Sequence, residues 1–331
     1  MFGPLNLKLR YLKCVGTMNN IYTVTLNPAV DRELTVPSIE FDRVLRATNW
    51  QVDYGGKGFN VSRMLKSLGT ASTALGFAGG KSGEILKDGL ESLGINTDFV
   101  WVKGDTRTNV SIVTEKHDHH IKVNEPGPTI SLSEQQALVA KIRSLSEPGD
   151  WWVLAGSLPP GIPASFYHDL IQIIQKAQAQ VILDTSGEAL TQGTKAGPYL
   201  IKPNEIELQQ LTSLPISNNE QLLHAAHFVQ SLGVTNLLIS MGKKGAILVN
   251  DINAYFIASP SIQERNPIGA GDSMVGGLVW GMSQNLDIVE SSRWGVACGS
   301  AAASLSGTAV GSMDLVQQFF SQTSVKRVKN D

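Results

Sequence analysis

From residue 21 onward, short apolar runs alternate along the chain with amphipathic stretches of helical length. The runs with the length of strands are rich in Val, Ile and Leu, and they lie at residues 21–26, 151–156, 181–186, 199–204 and 237–240. The helix-like stretches include residues 60–68, 163–178 and 220–232. Strands without polar alternation are typical of a sheet that is covered on both faces. The alternation of strands and helices therefore predicts an α/β fold with an open, mostly parallel central sheet.

Two regions, residues 31–53 and 98–124, depart from this rhythm because they have no helices of their own. They resemble strands with a two-residue alternation of apolar and polar positions, as in TNVSIVTE at residues 108–115. We predict that they form a small antiparallel layer that projects from the main sheet and could close over a site as a lid. The other predicted boundaries are a loose extension at residues 1–20, a single domain at residues 21–320 and a tail at residues 321–331.

Composition and charge narrow the classes of function. The 331 residues include 42% hydrophobic and 17% charged residues, which is an ordinary globular balance. A net charge of -2 predicts no general attraction to nucleic acid or to acidic membranes, so an anionic substrate must be bound by a few placed Lys and Arg residues. No apolar stretch reaches the roughly 18 residues of a membrane span. The two cysteines have no CxxC spacing, and two lone thiols suit a reducing compartment. The first twenty residues lack the apolar core of a signal peptide, so we expect a cytoplasmic protein.

The strongest chemical signal is NPIGAGDSMVGG at residues 266–277. Gly269, Ala270 and Gly271 stand at a predicted helix start, where their small size leaves backbone N–H groups accessible to an anion. The carboxylate of Asp272 beside them can accept a proton from an attacking hydroxyl. The alternative interpretation is a tight turn in which Asp272 merely caps the helix.

A second signal is YGGKGFNVSRMLKSLG at residues 54–69. Glycines at 55 and 56 allow the backbone to approach a ligand closely, while Lys57 supplies a charge and Asn60 an amide. The alternative is a flexible loop with an exposed lysine. Neither of the common nucleotide fingerprints is present, because a P-loop would need glycine at Gln51 or Leu75 and a dinucleotide loop would need glycine at Val61.

Other polar residues follow the predicted strands. In LIKPNEIEL at residues 200–208, Asn204 and Glu207 can share one face of a helix start and hold the water shell of a magnesium ion, or they can simply cap that helix. Three further strand ends, AGSLPPG, LDTSGEAL and SMGKKG, place small or polar residues where α/β sheets bind ligands. The HDHH segment at residues 117–120 permits a metal site, but its position between two alternating runs favours a solvated hairpin turn.

The order of these segments resembles the phosphofructokinase-B (ribokinase-like) sugar kinases. The segments are TLNPAVD, GGKGFNV, TRTNV, AGSLPPG, LDTSGEAL, IKPNEIEL, SMGKKGA and GAGDSMVGG, and together they extend over residues 21–311. The resemblance implies a three-layer α/β/α sandwich with a β lid over the sugar. It also implies ATP as phosphoryl donor and Mg²⁺ as cofactor.

The resemblance assigns roles to individual residues. It implies Asp272 as catalytic base, with Gly269, Ala270 and Gly271 forming the anion hole. The substrate-binding residues that it implies are Asp31, Gly55, Gly56, Lys57, Asn60, Arg107, Asn109 and Ser157, with Arg107 contacting the sugar phosphate. The nucleotide-binding residues that it implies are Lys202, Asn204, Ser240, Gly242, Gly245, Gly269 and Gly271, and Glu207 would hold magnesium through water.

Within this family, the chain most resembles the 1-phosphofructokinases and the related tagatose-6-phosphate kinases. TRTNV and GAGDSMVGG favour conversion of fructose 1-phosphate to fructose 1,6-bisphosphate, whereas NP before the GAGD loop is frequent in the tagatose branch. The alternatives are therefore a tagatose 6-phosphate or fructose 6-phosphate kinase and, from a different class, a non-catalytic sensor of sugar phosphate or nucleotide. The expected partners are a sugar phosphate and ATP, without nucleic acid or membrane, and a second copy of the chain bound through the lid.

Overall fold

The structure, a computed structural model, describes residues 19–116 and 119–328. The predicted extension at residues 1–20 therefore lies outside the described residues except for its last two positions. The described strands are β1 (Ile21–Thr25), β2 (Ala29–Val36), β3 (Asn49–Gly55), β4 (Thr73–Ala78), β5 (Asn96–Thr97), β6 (Val100–Trp101), β7 (Arg107–Thr114), β8 (His120–Val123), β9 (Trp151–Ala155), β10 (Gln180–Asp184), β11 (Leu200–Ile201), β12 (Asn236–Ser240), β13 (Gly245–Val249), β14 (Ala254–Ala258) and β15 (Ser324–Val328). The described helices are α1 (Lys57–Ser67), α2 (Gly80–Ser92), α3 (Leu132–Leu145), α4 (Phe166–Lys176), α5 (Gly187–Thr194), α6 (Glu205–Thr212), α7 (Asn219–Ser231), α8 (Ala270–Ser283), α9 (Ile288–Ala303) and α10 (Met313–Phe320).

The central sheet runs in the order β15-β14-β13-β12-β11-β10-β9-β1-β4-β5, and β6 also pairs with β4. The strand pairs from β12 to β5, and the pair of β4 with β6, are parallel, whereas β12 to β15 form an antiparallel edge. The five strands and three helices predicted from the apolar pattern correspond to β1, β9, β10, β11 and β12 and to α1, α4 and α7. The predicted α/β fold with a mostly parallel central sheet is confirmed.

Alternate residues of the buried strands pack on opposite faces of the central sheet. On one face, Val24, Leu154 and Leu183 pack with the apolar sides of α3 to α7. On the other face, Val153 and Ile182 pack with α1, α8 and α9. The implied three-layer arrangement is therefore present, and it explains why the central strands contain almost no polar alternation. Within the described residues, no helix is both long and apolar enough to cross a bilayer.

A second, small sheet consists of β3-β2-β7-β8. Its outer pairs are antiparallel, but the central pair β2–β7 is parallel, so the prediction of an antiparallel layer is wrong for that pair. The physical reason is connectivity, because β2 reaches β7 by way of α1, β4 and α2 rather than through a tight hairpin turn. Residue alternation indicates which face a side chain occupies, not the direction of the neighbouring strand.

The small sheet has one polar and one apolar face. Asp31 is the register partner of both Asp53 and Asn109, which places these three residues on the same face. The opposite face contributes Val30 and Val52, which pack against Phe59, Leu86 and Leu90 in a separate apolar cluster. This packing fixes the small sheet against Phe59 in the first turn of α1 and against Leu86 and Leu90 of α2, and it directs the polar face away from that cluster.

The predicted C-terminal tail is wrong for residues 324–328, which form the edge strand β15. Ser324 to Val328 pair antiparallel with β14, from Ala258 back to Ala254. The sequence SVKRV of this strand contains two cations and no continuous apolar run, which is typical of a sheet edge protected against pairing with other chains. An apolar run was the criterion for the predicted strands, so this one was missed.

Candidate active site

Four charged side chains from different elements meet beside the carboxyl ends of the parallel strands. Asp184 is the last residue of β10, and Lys202 follows β11. Lys57 begins α1, and Asp272 lies in the first turn of α8. Ligands of open α/β sheets bind at this edge because the loops that follow the strands converge there. The sequence predicted Lys57, Lys202 and Asp272 as site residues, and the structure brings them together.

Asp184 is the centre of this charge cluster. Its Oδ1 accepts a hydrogen bond from Lys57 Nζ at 3.2 Å, and Lys202 Nζ lies 3.4 Å from the same oxygen. Burial alone would raise the pKa of Asp184, but the charges of Lys202 and Lys57 outweigh it and hold that pKa below its ordinary value. Asp184 is therefore ionised, and it anchors both amines. The sequence flagged its segment, LDTSGEAL, but not this residue.

Asp272 differs from Asp184 because none of the lysines that the structure describes bonds it directly. Its Oδ2 accepts a hydrogen bond from Asn60 Nδ2 at 2.8 Å. Burial and then the negative charge of Asp184 raise the pKa of Asp272 to about 6, although Lys57, Asn60 and Lys202 act in the opposite direction. A carboxylate with that pKa is ionised at neutral pH and still binds a proton readily, as a general base requires.

The start of α8 has the geometry of an anion site. Gly269 caps the helix with φ +78°, a left-handed conformation that favours glycine, and it has no side chain to bond the first N–H groups of the helix. Ala270 N–H is occupied by the Pro267 carbonyl at 3.2 Å, so it is not available as predicted. Gly271 lies so close to Lys202 that a Cβ there would be 3.3 Å from Nζ. The helix start and that amine together suit an anion, and the anion hole stays a prediction.

A second group of predicted residues lies on the small sheet. Asn109 Nδ2 donates to Asp31 Oδ1 at 2.7 Å, and burial raises the pKa of Asp31. Gly55 packs so closely on Asp31 that any Cβ would overlap its carboxylate. The Oδ1 atoms of Asn109 and Asn27 are buried without a hydrogen-bond partner in the described residues. Unpaired buried acceptors of this kind suit a ligand that brings hydroxyl donors.

Arg107 is also on this side, but its guanidinium is already bonded to backbone. It donates to the carbonyls of Asn27 at 2.9 Å, Glu125 at 3.1 Å and Pro28 at 3.4 Å. Arg107 thus holds together the segments that flank the small sheet, and its role towards a phosphate stays a prediction. Ser157 follows β9 and is exposed.

A cavity of about 500 Å³ adjoins the start of α8 on the other side. The predicted nucleotide-binding residues Asn204, Ser240, Gly242 and Gly271 line it. Gly245 does not line it; with φ +114°, this glycine is required because a Cβ would overlap the Ile257 carbonyl. The remaining walls are largely apolar, with Pro260, Ile262, Met274 and Val296 among them, which suits a flat heterocyclic base.

Asn204 and Glu207 form a capping box at the start of α6. Asn204 Oδ1 accepts from Glu207 N–H at 2.8 Å, and Glu207 Oε2 accepts from Asn204 N–H at 2.9 Å. The helix-cap interpretation is thus what the structure contains, and the capping box uses only one of the two carboxylate oxygens of Glu207. The second oxygen, on a carboxylate close enough to influence the pKa of Lys57, fits a magnesium ion that keeps most of its waters. Among the described residues, no group of three His, Cys, Asp or Glu side chains could hold a metal by itself.

The HDHH segment was predicted as a turn, and Arg63 on α1 was not predicted as a site residue. β7 and β8 pair antiparallel, and His120 is the first residue of β8, whereas His117 and Asp118 lie outside the described residues. Arg63 was not predicted, although it lies on α1 three residues after Asn60 and donates to that side chain. The three-residue helical spacing is the signal that could have identified it.

The chain is similar to known carbohydrate kinases over most of its length. The sequence matches the family described as pfkB family carbohydrate kinase over residues 12–314. The 1-phosphofructokinase of Bacillus subtilis is 38% identical over 308 residues, which are 93% of this chain and 100% of that protein. The tagatose-6-phosphate kinase of Staphylococcus epidermidis is 33% identical over 268 residues, which are 79% of this chain and 85% of that protein. The tetrameric inhibited form of phosphofructokinase-2 from Escherichia coli superposes with a TM-score of 0.86 at 33% identity, covering 92% of this chain and 99% of that one.

The raised pKa of Asp272 predicts a pH-dependent effect of Asp272→Asn on stability. Because the pKa in the folded protein is about 6, above the ordinary value of 3.8, the stability that protonation of Asp272 contributes is lost as the pH rises through 6. Asp272→Asn should therefore be more stable than the wild type at pH 8, by on the order of 2–3 kcal/mol, and should match it near pH 4. Thermal melts from pH 4 to 8 measure the difference, with the exposed Asp251→Asn as control. Parallel curves for Asp272→Asn and wild type would contradict the assignment.

Proposed function

The chain belongs to the pfkB family of carbohydrate kinases, and within it we propose an ATP-dependent kinase of a ketohexose phosphate, with fructose 1-phosphate as the preferred substrate. The observation that carries the proposal is the position of Asp272. It is a buried carboxylate with a pKa of about 6 at the start of α8, where Ala270 and Gly271 line the 500 Å³ cavity. It is bonded to Asn60 of α1, the helix that directly follows β3 of the small sheet. The reaction would convert fructose 1-phosphate to fructose 1,6-bisphosphate.

Asp272 would act as the general base. Its carboxylate accepts the proton of the primary sugar hydroxyl while that oxygen attacks the γ-phosphorus of ATP in line with the leaving group. Transfer of this kind depends on positioning and on neutralising charge rather than on a covalent intermediate. The Gly271 N–H, at the positive end of α8, and Lys202 Nζ would stabilise the charge on the transferred group.

Lys57 is better placed for the transferred phosphoryl group than for the sugar phosphate. Its amine is bonded to Asp184, in the same cluster as Lys202, whereas Asp31 and Asn109 form the sugar group on the small sheet. We therefore propose that Lys57 contacts the transferred phosphate between the two substrates, whereas the sequence predicted it in the sugar site. Its half-exposed side chain leaves the amine able to contact an incoming phosphate.

Magnesium, when bound with ATP, would neutralise and orient the phosphate oxygens. Glu207 Oε1 is the protein atom placed to receive the hydrated ion, and the neighbouring Asn204 holds that carboxylate in position through the capping box. The small sheet would serve as the lid of a single kinase domain. Its closure over the sugar would exclude water and so limit hydrolysis of ATP.

Asp31 and Asn109 would hold the sugar hydroxyls. The carboxylate accepts hydrogen bonds, and the unpaired Asn109 Oδ1 offers a further acceptor beside it. The preference for fructose 1-phosphate is supported by TRTNV, GAGDSMVGG and the Bacillus subtilis relative. Tagatose 6-phosphate is the second candidate, supported by NP before the GAGD loop and by the Staphylococcus epidermidis relative.

Steady-state kinetics with ATP and magnesium tests the substrate. We expect kcat/KM for fructose 1-phosphate to exceed the values for tagatose 6-phosphate and fructose 6-phosphate by at least about 10-fold, which corresponds to one hydrogen bond of difference in the transition state. ADP release is the readout. A preference for tagatose 6-phosphate would retain the mechanism and replace the substrate, whereas binding without turnover of any of the three would point to a sensor.

Replacement of the base tests the mechanism. Asp272→Asn should lower kcat by roughly 10²- to 10⁴-fold, because the hydroxyl loses its proton acceptor. In the wild type, kcat/KM should fall as the pH drops through about 6, since protonation of Asp272 in the free enzyme removes the base. Glu290→Gln, on the first turn of α9, is the control and should leave both kcat and this pH profile unchanged. Full activity of Asp272→Asn would remove the assignment.

We also propose that two copies associate through the small sheet. Its edge strands β3 and β8 each have one neighbour, and Trp50 and Val123 are 66% and 60% exposed there. Exposed apolar groups beside unpaired strand edges favour association, and the related Escherichia coli structure is tetrameric.

Sedimentation velocity tests the association. The wild type should sediment as a dimer or larger, and Trp50→Glu should shift it towards the monomer. Ile252→Glu, at a side chain 76% exposed in the β13–β14 turn, is the matched control and should not change the distribution. A monomeric wild type at micromolar concentration would refute the proposal.

A further inference from the structure

Arg63 occupies an unusual position for an arginine on a helix. Its Nη1 donates to Asn60 Oδ1 at 3.4 Å and to Thr308 Oγ1 at 3.2 Å. The side chain is half-buried on α1, and burial lowers the pKa of its guanidinium. Burying a cation costs free energy unless hydrogen bonds compensate for the lost hydration. The partners of the Arg63 guanidinium therefore indicate its role.

That target is the amide which holds the catalytic carboxylate. Asn60 Nδ2 donates to Asp272 Oδ2 at 2.8 Å. An asparagine amide has an acceptor oxygen and a donor nitrogen of nearly the same shape, so packing alone distinguishes its two orientations poorly. The reversed orientation would direct Oδ1, an acceptor, at the Asp272 carboxylate.

Arg63 removes this ambiguity because a guanidinium contains only donors. It can bond the amide through Oδ1 and not through Nδ2. In the reversed orientation, the Nδ2 donors would face the donors of Arg63, and the Oδ1 acceptor would face the acceptor oxygens of Asp272. The other charged groups around Asp272 are Asp184, Lys57 and Lys202. None of these three has a hydrogen bond to the Asn60 amide among the described residues. The Asp272 carboxylate and Arg63 therefore select its orientation, and Arg63 still selects it when Asp272 carries a proton.

We propose that Arg63 is a positioning residue that orients the Asn60 amide, so that Nδ2 holds one oxygen of Asp272 and leaves the other directed at the substrate hydroxyl. This inference rests on the proposed kinase function. It adds a residue that touches neither substrate and acts through Asn60.

A second contact connects Arg63 to the other side of the site. Thr308 belongs to the loop after α9, and the neighbouring Gly307 carbonyl accepts a hydrogen bond from Asn266 Nδ2 at 2.8 Å. Asn266 begins the NPIGAGD segment that leads into α8. Arg63 therefore links the helix that carries Asn60 to the loop that positions Asp272. This link would keep the Asn60 Nδ2 donor aligned with the Asp272 carboxylate.

Arg63→Gln tests the inference through its kinetic signature. We expect kcat to fall roughly 10- to 100-fold, the scale of a misplaced catalytic group, with KM for the sugar phosphate changed less than about 3-fold. The acid limb of kcat should move to higher pH, because a free amide no longer donates steadily to Asp272. Arg63→Lys, which keeps a donor, should recover part of the activity. Lys66→Gln, one turn further along α1, removes the same charge and should behave as the wild type.

A double-mutant cycle separates action through Asn60 from independent effects. If Arg63 acts through that amide, Arg63→Gln should lower kcat little further, within about 2-fold, in the Asn60→Ala background. Equal losses in both backgrounds would overturn the proposal, and so would a change confined to KM, which would make Arg63 a substrate-binding residue. Thermal melts identify variants that fail to fold, and Arg63→Lys then replaces Arg63→Gln in the cycle. A wild type that phosphorylates no sugar would refute the proposed function. An active wild type with the same kcat as Arg63→Gln would refute this inference alone.

Discussion

The buried carboxylate of Asp184, shared by the amines of Lys57 and Lys202, is the interaction on which the electrostatics of the site depend. Its two cations balance the charges of Asp184 and Asp272, so the cluster is close to neutral. Removing Asp184 would leave both amines without the carboxylate that they share, which costs far more than the ion pairs contribute. Because both amines bond to Asp184 rather than to Asp272, the second carboxylate keeps the higher pKa and the chemistry of a base.

The fold can hold this cluster because parallel strands bring distant parts of the chain to one edge. Asn60 and Asp272 are 212 positions apart in the sequence, yet they bond directly, since α1 and α8 begin beside each other at that edge. Their close approach depends on glycine. A Cβ on Gly276 of α8 would lie 2.7 Å from Met64 Cβ of α1. Glycine also allows α1 to approach β1, because a Cβ on Gly58 would lie 2.7 Å from Thr25 Oγ1. The glycine-rich segments thus pack the helices tightly as well as exposing backbone to a ligand.

What the sequence could predict was local in character. Apolar runs located the central strands, and the segment around Asp272 identified the helix start, because both signals are contained in a few consecutive residues. The direction of β2 against β7 and the pairing of β15 depend on connections far along the chain, so residue alternation could not predict them. Side-chain partners were the hardest to foresee. Lys57 was assigned to the sugar and instead bonds Asp184, and Arg63 was overlooked because its function lies in the orientation of a neighbour.

The same charge balance explains why a site for two phosphorylated substrates needs two lysines. Each phosphate that arrives adds negative charge near Asp272, and like charges raise the pKa of a carboxylate. From a starting value of about 6, a further rise of that pKa would leave more of the base protonated at neutral pH. Lys57 and Lys202 already lower that pKa in the free protein, and their amines are held within reach of incoming phosphate by Asp184. The cluster therefore prepares the anion site and keeps Asp272 ionised when that site is filled.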